Sequence, residues 1–282
     1  MTRKIIGYYS ETGGDTATDA DQLVVEISRS QVVCLVKGSA SQEIEGFEMF
    51  ELDKENKDWN DVFYALRNES LILNRSFRNA HCYYNFEEAI IIPGKRFTAG
   101  SSEDYLNLMY GETDRHDTRY DPINADTPQH MVNAYRIRKS IHELVGRHYL
   151  LYKPYHTYTA LLQDVFSRTE LADHFIKVQF YKGHIIVAVV KKQQLQLIQS
   201  FPFSTKDDIL YHLANTSDQF ALDASHSHLE ISGSFENGSV LHQQLQSMFG
   251  LITFDTMYAD GVFKSAIAQP LHYFTPFYKL VV

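Results

Sequence analysis

Cysteine is scarce: Cys34 and Cys82 are the whole complement of a 282-residue chain, and both fall in apolar runs. A disulfide framework is therefore excluded as the basis of the fold, and core packing in a reducing compartment is expected. No apolar stretch approaches the ~20 residues that a membrane-spanning helix needs. The two cations within Met1 to Ile6 are not followed by a long apolar region, so no secretory signal is read there. The expectation is a cytoplasmic protein without membrane insertion. Positive charge is also in deficit: 26 Lys and Arg face 35 Asp and Glu, a net charge of -9. Such a balance repels phosphate backbones and argues against a nucleic-acid partner. Arg136, Arg138, Lys139 and Arg147 cluster around one predicted helix, either as a polyanion patch or as a solvated helix face. Missing, finally, are the P-loop, the dinucleotide fingerprint and the Gly-x-Ser-x-Gly elbow.

What is present is a repeated pattern. Residues 1–21, polar and Gly-rich from Ser10 onward, read as a flexible leader. Leu23–Ile27 and Val32–Val36 are β-rich runs around a turn at Ser28–Gln31, and Phe47–Leu52 reads as a third strand. A helical stripe follows on Trp59, Val62, Phe63, Leu66 and Leu73, with Asp58 as its N-cap. Arg78–Tyr84 is the next strand, and Ala89–Ile92 ends at the punctuation Pro93-Gly94. Ser101 opens another helix with Asp104 as capping-box partner. Residues 111–128 are charged, lack periodicity and read as an exposed excursion. Met131–Arg136 looks extended, Arg138–Arg147 helical, Tyr149–Tyr152 a short strand and Tyr158–Arg168 a helix.

The second half repeats the grammar of the first. Phe175–Phe180 and Ile185–Val190 flank the tight turn Lys182-Gly183, Leu195–Phe201 is a third strand, and a capped helix follows Ser204. His228–Ile231 is a fourth strand and Ser239–Phe249 a further helix. Repetition at this scale suggests duplication. Three antiparallel strands, a helix and a parallel strand form the ribonuclease-H-like half of the actin and sugar-kinase fold. The expected fold class is therefore α/β, a duplicated ribonuclease-H-like fold of two lobes, residues 22–155 and 156–282, each with a mixed sheet and helices.

Four segments together resemble one group of uncharacterised bacterial proteins, the domain-of-unknown-function family 3822. They are Leu23-Val-Val-Glu-Ile-Ser28, Ile92-Pro93 followed by Phe97, Phe201-Pro-Phe-Ser-Thr205, and Leu229-Glu-Ile-Ser-Gly233. The resemblance runs from about residue 20 to the end, and it implies an actin-like ATPase fold with unknown function.

ATPases of that fold place an Asp and a Gly-rich turn at each of two phosphate hairpins. The carboxylate organises Mg²⁺, which prefers hard oxygen ligands. The glycines let backbone N–H groups reach phosphate without a Cβ in the way. The first turn here, Glu26-Ile-Ser-Arg-Ser-Gln31, has a Glu but no glycine; the second, Gln179-Phe-Tyr-Lys-Gly183, has one glycine and no carboxylate. Two readings follow. In the first, the chain is a degenerate actin-like protein acting as a binding or scaffolding module for a protein partner, with no catalytic residue and no cofactor. In the second, it is an ATPase or small-molecule kinase using Mg-ATP. Glu26 then serves the metal, Ser28, Ser30, Lys182 and Gly183 serve the phosphates, and Gly233 serves the adenosine. For Gly233 the competing account is a positive φ at a strand-to-helix turn.

Other chemistry-bearing patterns are weaker. His142-Glu143 followed by His148 lacks the four-residue histidine spacing of a metalloprotease helix, since position 146 is Gly. His226 and His228 share a strand face, and His242 on the next helix could complete a zinc site, although no strong ligand set is spaced for it. Asp114, His116 and Asp117 form an acid–His–acid group within the polar excursion, suited to acid–base work or to simple solvation. Phe263 and the tail from Leu271 to Leu280 are dense in aromatics, to be buried on a lobe or exposed as a partner surface.

Overall fold

A computed structural model describes residues 2–10, 20–53, 58–124, 129–149, 151–256 and 268–281. The chain opens with strand β1 (Thr2–Tyr9), antiparallel to β4 at a sheet edge. The leader expected over 1–21 is corrected there. The adjacent cations Arg3 and Lys4 break the apolar alternation of this strand, and the buried Glu48 holds it by accepting from Lys4 Nζ at 3.0 Å and Tyr9 Oη at 2.5 Å. Residues 11–19 lie outside the described residues.

The two β-rich runs form strands β2 (Gln22–Ser28) and β3 (Gln31–Lys37), joined by the expected turn and followed by β4 (Ile44–Leu52). Both faces of β2 and β3 are covered, which explains their continuous apolar runs. Helix α1 (Trp59–Glu69) buries Trp59, Val62, Phe63 and Leu66, and Asp58 caps it by accepting from Asn60 N at 2.8 Å. Strand β5 (Asn79–Asn85) then lies parallel to β2.

A small subdomain interrupts the first half. Strands β6 (Ala89–Pro93), β7 (His116–Ile123) and β8 (Met131–Arg138) form an antiparallel sheet of order β6-β8-β7, with helix α2 (Ser101–Tyr110) packed on it. The excursion expected at 111–128 is thereby corrected. Residues 116–123 are an edge strand whose exposed side chains, and Pro122, erase the alternation a half-buried strand would show. The start of α2 differs as well: Ser101 exchanges hydrogen bonds with Thr98, and Asp104 plays no part in the cap. Helix α3 (Lys139–His148) leads to strand β9 (Lys153–His156), which lies just beyond the expected Tyr149–Tyr152 and runs parallel to β5.

Helix α4 (Thr157–Phe166) leads into the second half: β10 (His174–Tyr181), β11 (His184–Lys191), β12 (Gln194–Pro202), α5 (Lys206–Gln219), β13 (His228–Gly233), α6 (Val240–Met248) and β14 (Leu251–Phe254). Among the described residues the large sheets read β1-β4-β3-β2-β5-β9 and β12-β11-β10-β13-β14. Apart from the added β1, the orders match, and β10 is parallel to β13 as β2 is to β5. The duplication expected from the sequence is thus a duplication of topology.

Two apolar cores follow the two large sheets, but their membership crosses the expected boundary between residues 155 and 156. Tyr158, Leu161, Leu162, Val165 and Phe166 of α4 pack into the first core. So do Phe274, Phe277 and Tyr278 from the C-terminal segment, where helix α7 (Thr275–Tyr278) sits. That part of the aromatic tail is therefore buried, while Phe263 lies outside the described residues.

An ionic network ties this packing together. The fully buried Lys177 of β10 pairs with Glu230 at 2.6 Å and with Asp255. Lys279 joins Asp255 at 2.6 Å and Asp164 at 2.7 Å, and Arg168 reaches Glu230 at 2.8 Å.

Candidate functional site

The two β-hairpin turns meet. Ser28 ends β2, and its Oγ accepts from Gln31 N at 3.0 Å and Ser30 N at 3.3 Å while donating to Gln31 O at 3.0 Å. The N–H groups of Ser30 and Gln31, which a phosphate at this turn would need, are thus occupied by the turn's own serine. Ser30 Oγ donates to the carbonyl of Lys182 in the opposite turn at 2.6 Å. Lys182 Nζ in turn lies 2.5 Å from Glu51 Oε2 at the end of β4, which balances its charge. Gly183 adopts φ +82°, as this tight turn requires, and its carbonyl accepts from Phe203 N.

Glu26 lies beneath the turns and is fully buried. Its Oε1 accepts from Asn85 Nδ2 at the end of β5 and from Thr157 Oγ1 at the start of α4, each at 3.2 Å. Burial pushes the carboxyl up to about 7, against the hydrogen bonds of Thr157 and Asn85, which favour the carboxylate; the nearby Tyr181 hydroxyl donates to Gln179 Oε1 at 3.3 Å. Tyr181 is itself buried, stacks on His184 at 4.9 Å between ring centroids, and meets Phe277 edge-on at 5.9 Å. Desolvation and the adjacent Glu26 raise its hydroxyl well above the usual tyrosine range. His184 reaches Asn85 Oδ1 at 3.3 Å, and burial lowers its imidazole to about 4.

Gly233 ends β13 at φ +88°, where an added Cβ would stand 2.1 Å from the carbonyl oxygen of Phe180. The next residue, Ser234, donates its N–H to that same oxygen at 2.9 Å. Close backbone approach accounts for this glycine. Beside the turns a cavity of about 360 Å³ remains, lined by Gln31, Glu51, Lys182, Phe203, Tyr273 and Phe277 among others.

Ser28, Ser30, Lys182 and Gly183 lie in the two facing turns, Glu26 lies beneath them, and Gly233 packs on the Phe180 backbone next to the second turn. The structure also engages most of their polar groups with one another and with neighbours, while the buried Glu26 Oε2 has no hydrogen-bond partner among the described residues. The sequence reading missed Asn85, Thr157 and Glu51, which bond Glu26 and Lys182 from other strands and from the start of a helix, and Tyr181, which packs beside them.

With this geometry in view, the family model described as "Protein of unknown function (DUF3822)" matches residues 15–250. The chain belongs to the DUF3822 family. No curated protein matches its sequence. Among solved structures, this DUF3822 chain is similar to a Bacteroides thetaiotaomicron VPI-5482 protein described as having an actin-like ATPase fold and unknown function. The two share 16% identity over 84% of this chain and 91% of the other, with a TM-score of 0.74. It is also similar to a chain of the PilM–PilN type IV pilus biogenesis complex, at 12% identity, 94% and 97% coverage and a TM-score of 0.58. Both likenesses show the fold, and this DUF3822 chain has the actin-like ATPase fold.

The other candidate groups are dispersed. His226 pairs with Asp223 at 2.7 Å, His228 with Thr253 at 2.7 Å, and His242 accepts from Gly238 N at 3.0 Å. Among the described residues no three His, Cys, Asp or Glu side chains are grouped to hold a metal ion. Asp114 precedes β7, and His116 and Asp117 open it, where neighbouring side chains point to opposite faces. His142 contacts Tyr152, and His148 contacts Arg67 at 3.1 Å. The basic cluster is broken up: Arg136 is buried in β8 on Glu88, Asn107 and the carbonyl of Gly111. No helix among the described residues is long and apolar enough to cross a membrane.

Proposed function

We propose that this DUF3822 chain is a catalytically degenerate actin-fold protein that acts as a binding or scaffolding module for a protein partner. One observation carries the reading: the first hairpin turn spends its N–H groups on Ser28, over a buried Glu26 held by Asn85 and Thr157. A phosphate clamp needs those N–H groups free and its carboxylate facing a hydrated cation. Here the turns are bonded to each other and Lys182 is neutralised by Glu51. A structural neighbour, the chain from the PilM–PilN complex, is described together with a protein partner, which supports a module built on this fold. The two free, buried cysteines favour a place in the bacterial cytoplasm.

Calorimetric titration with millimolar Mg-ATP tests the reading. It predicts no saturable heat and no nucleotide turnover. Saturable binding that is lost in Lys182→Ala would overturn it in favour of an ATP-dependent enzyme.

A further inference from the structure

Away from the hairpin turns, a groove of about 570 Å³ opens between the three-stranded subdomain and the second large sheet. Both of its long walls are sheet edges, because β6 ends one sheet and β12 ends the other. Ile90, Ile91 and Met131 line one wall, Leu195, Leu197 and Ile198 the other. Met109 of α2, 64% exposed, also lines the groove.

Ladder alternation shows which main-chain groups face the groove. Arg136 N donates to Glu88 O and Gly94 N to His130 O, so Glu88, Ile90 and Ile92 bond toward β8. Ile91 therefore presents its N–H and C=O at the free edge. On β12, Phe203 N donates to Gly183 O, and the same alternation places the main-chain groups of Ile198 at the free edge.

Side chains occupy main-chain groups next to these positions: Tyr110 Oη donates to Ala89 O at 3.1 Å, and Gln129 Oε1 accepts from Leu195 N at 3.2 Å. Among the described residues, no hydrogen bond reaches the outward groups of Ile91 or Ile198. Each edge thus keeps an open rung at mid-groove.

Charge gives the groove a direction. Glu87, at the start of β6, is paired with Arg29. At the other end Lys95 and His130 line the groove and Arg96 adjoins them; among the described residues no carboxylate pairs with Lys95 or Arg96. One end is neutralised and the other is cationic, in a chain whose net charge is -9.

We propose that this groove binds an extended segment of a partner protein. The segment adds a strand to β6 through the rung at Ile91, sets apolar side chains at alternate positions against Ile90, Leu195 and Leu197, and carries acidic residues at the end beside Lys95. The proposal rests on the protein-binding reading above and names where that binding occurs. A second copy of this acidic chain is the less favoured occupant, since like net charges repel.

The test uses the full chain and labelled synthetic peptides of about six alternating Val and Thr residues ending in an Asp pair, read by fluorescence anisotropy. Saturable binding is expected. It should weaken about tenfold when the Asp pair becomes Lys or when Lys95 becomes Glu. Ile91→Pro, which removes the outward N–H of this edge strand along with part of the side chain, should weaken it at least tenfold, while Ile91→Val, which trims the side chain but keeps the N–H, leaves it unchanged. If Ile91→Pro fails to fold, N-methylation of the peptide's alternate amides breaks the same hydrogen bonds from the ligand side and must give the same loss. Absence of saturable binding at millimolar peptide, or binding indifferent to both changes, overturns the groove proposal. Either result leaves the module reading standing, which falls separately if the chain binds Mg-ATP. A concentration-dependent dimer that Ile91→Pro dissociates in sedimentation assigns the groove to a second copy, and likewise overturns the proposal.

Discussion

Ser30 Oγ and the carbonyl oxygen of Lys182 lie 2.6 Å apart, 152 positions apart in the chain, and join the turn of one half to the turn of the other. In a nucleotide-binding protein of this fold, that space belongs to the phosphates. Ser30→Ala should cost about 1 kcal/mol, the net value of one hydrogen bond, read as a lower urea midpoint with unchanged slope.

The raised Glu26 makes stability depend on pH in a defined direction. The folded state holds the proton up to about 7, against an ordinary value of 4.5. Between those limits the folded chain binds more protons than the unfolded one, so this group's contribution to stability falls as pH rises and stays low above about 7. His184, lowered by burial to about 4 from 6.5, works the other way and removes stability as pH falls through that window. Comparison with Glu26→Gln isolates the first effect. The variant should gain on wild type by up to about 3 kcal/mol between pH 5 and pH 8, measured by urea unfolding across that range. A difference that does not change with pH would contradict the assigned burial of a titrating carboxyl.

Gly233→Ala should destabilise by at least about 3 kcal/mol, because the new methyl would stand 2.1 Å from the Phe180 carbonyl oxygen at φ +88°. Gly183→Ala also acts on a positive φ, +82°, but has open space around it. It should cost only about 1 kcal/mol. Thermal midpoints of the pair separate close approach from backbone strain.

Lys177→Met should cost about 3 kcal/mol. Burial works to raise Asp255, yet Lys177 and Lys279 outweigh it and hold the carboxyl below its ordinary value; removing Lys177 takes away the larger part of that support. Hydrogen exchange should show the loss first in α7, which Lys279 joins to the network at Asp255 and Asp164.

Strands β2, β3, β10 and β11 were legible in the sequence because sheet neighbours and packed elements cover both faces and demand unbroken apolar runs. Strand β1 was not, since its place is fixed by the distant Glu48, and β7 was not, since its outward face is polar and it carries Pro122. At the site, the order of elements places Glu26, Ser28 and Ser30 at the first hairpin, Lys182 and Gly183 at the second, and Gly233 at the end of β13. It does not show what they bond to. Thr157 and Asn85 reach Glu26 across 131 and 59 residues, and only the parallel crossing of β5 and the start of α4 bring them there.

The most direct test of the central claim is a thermal-unfolding titration of wild type with Mg-ATP, run beside Glu26→Gln. A ligand at a hundredfold its dissociation constant stabilises the folded state by about 2.7 kcal/mol, which moves the midpoint of a chain this size by several degrees. The account predicts coincident melting curves for wild type with and without millimolar Mg-ATP. A nucleotide-dependent rise that disappears in Glu26→Gln would contradict it, and would show that the junction opens to a hydrated cation and its phosphates.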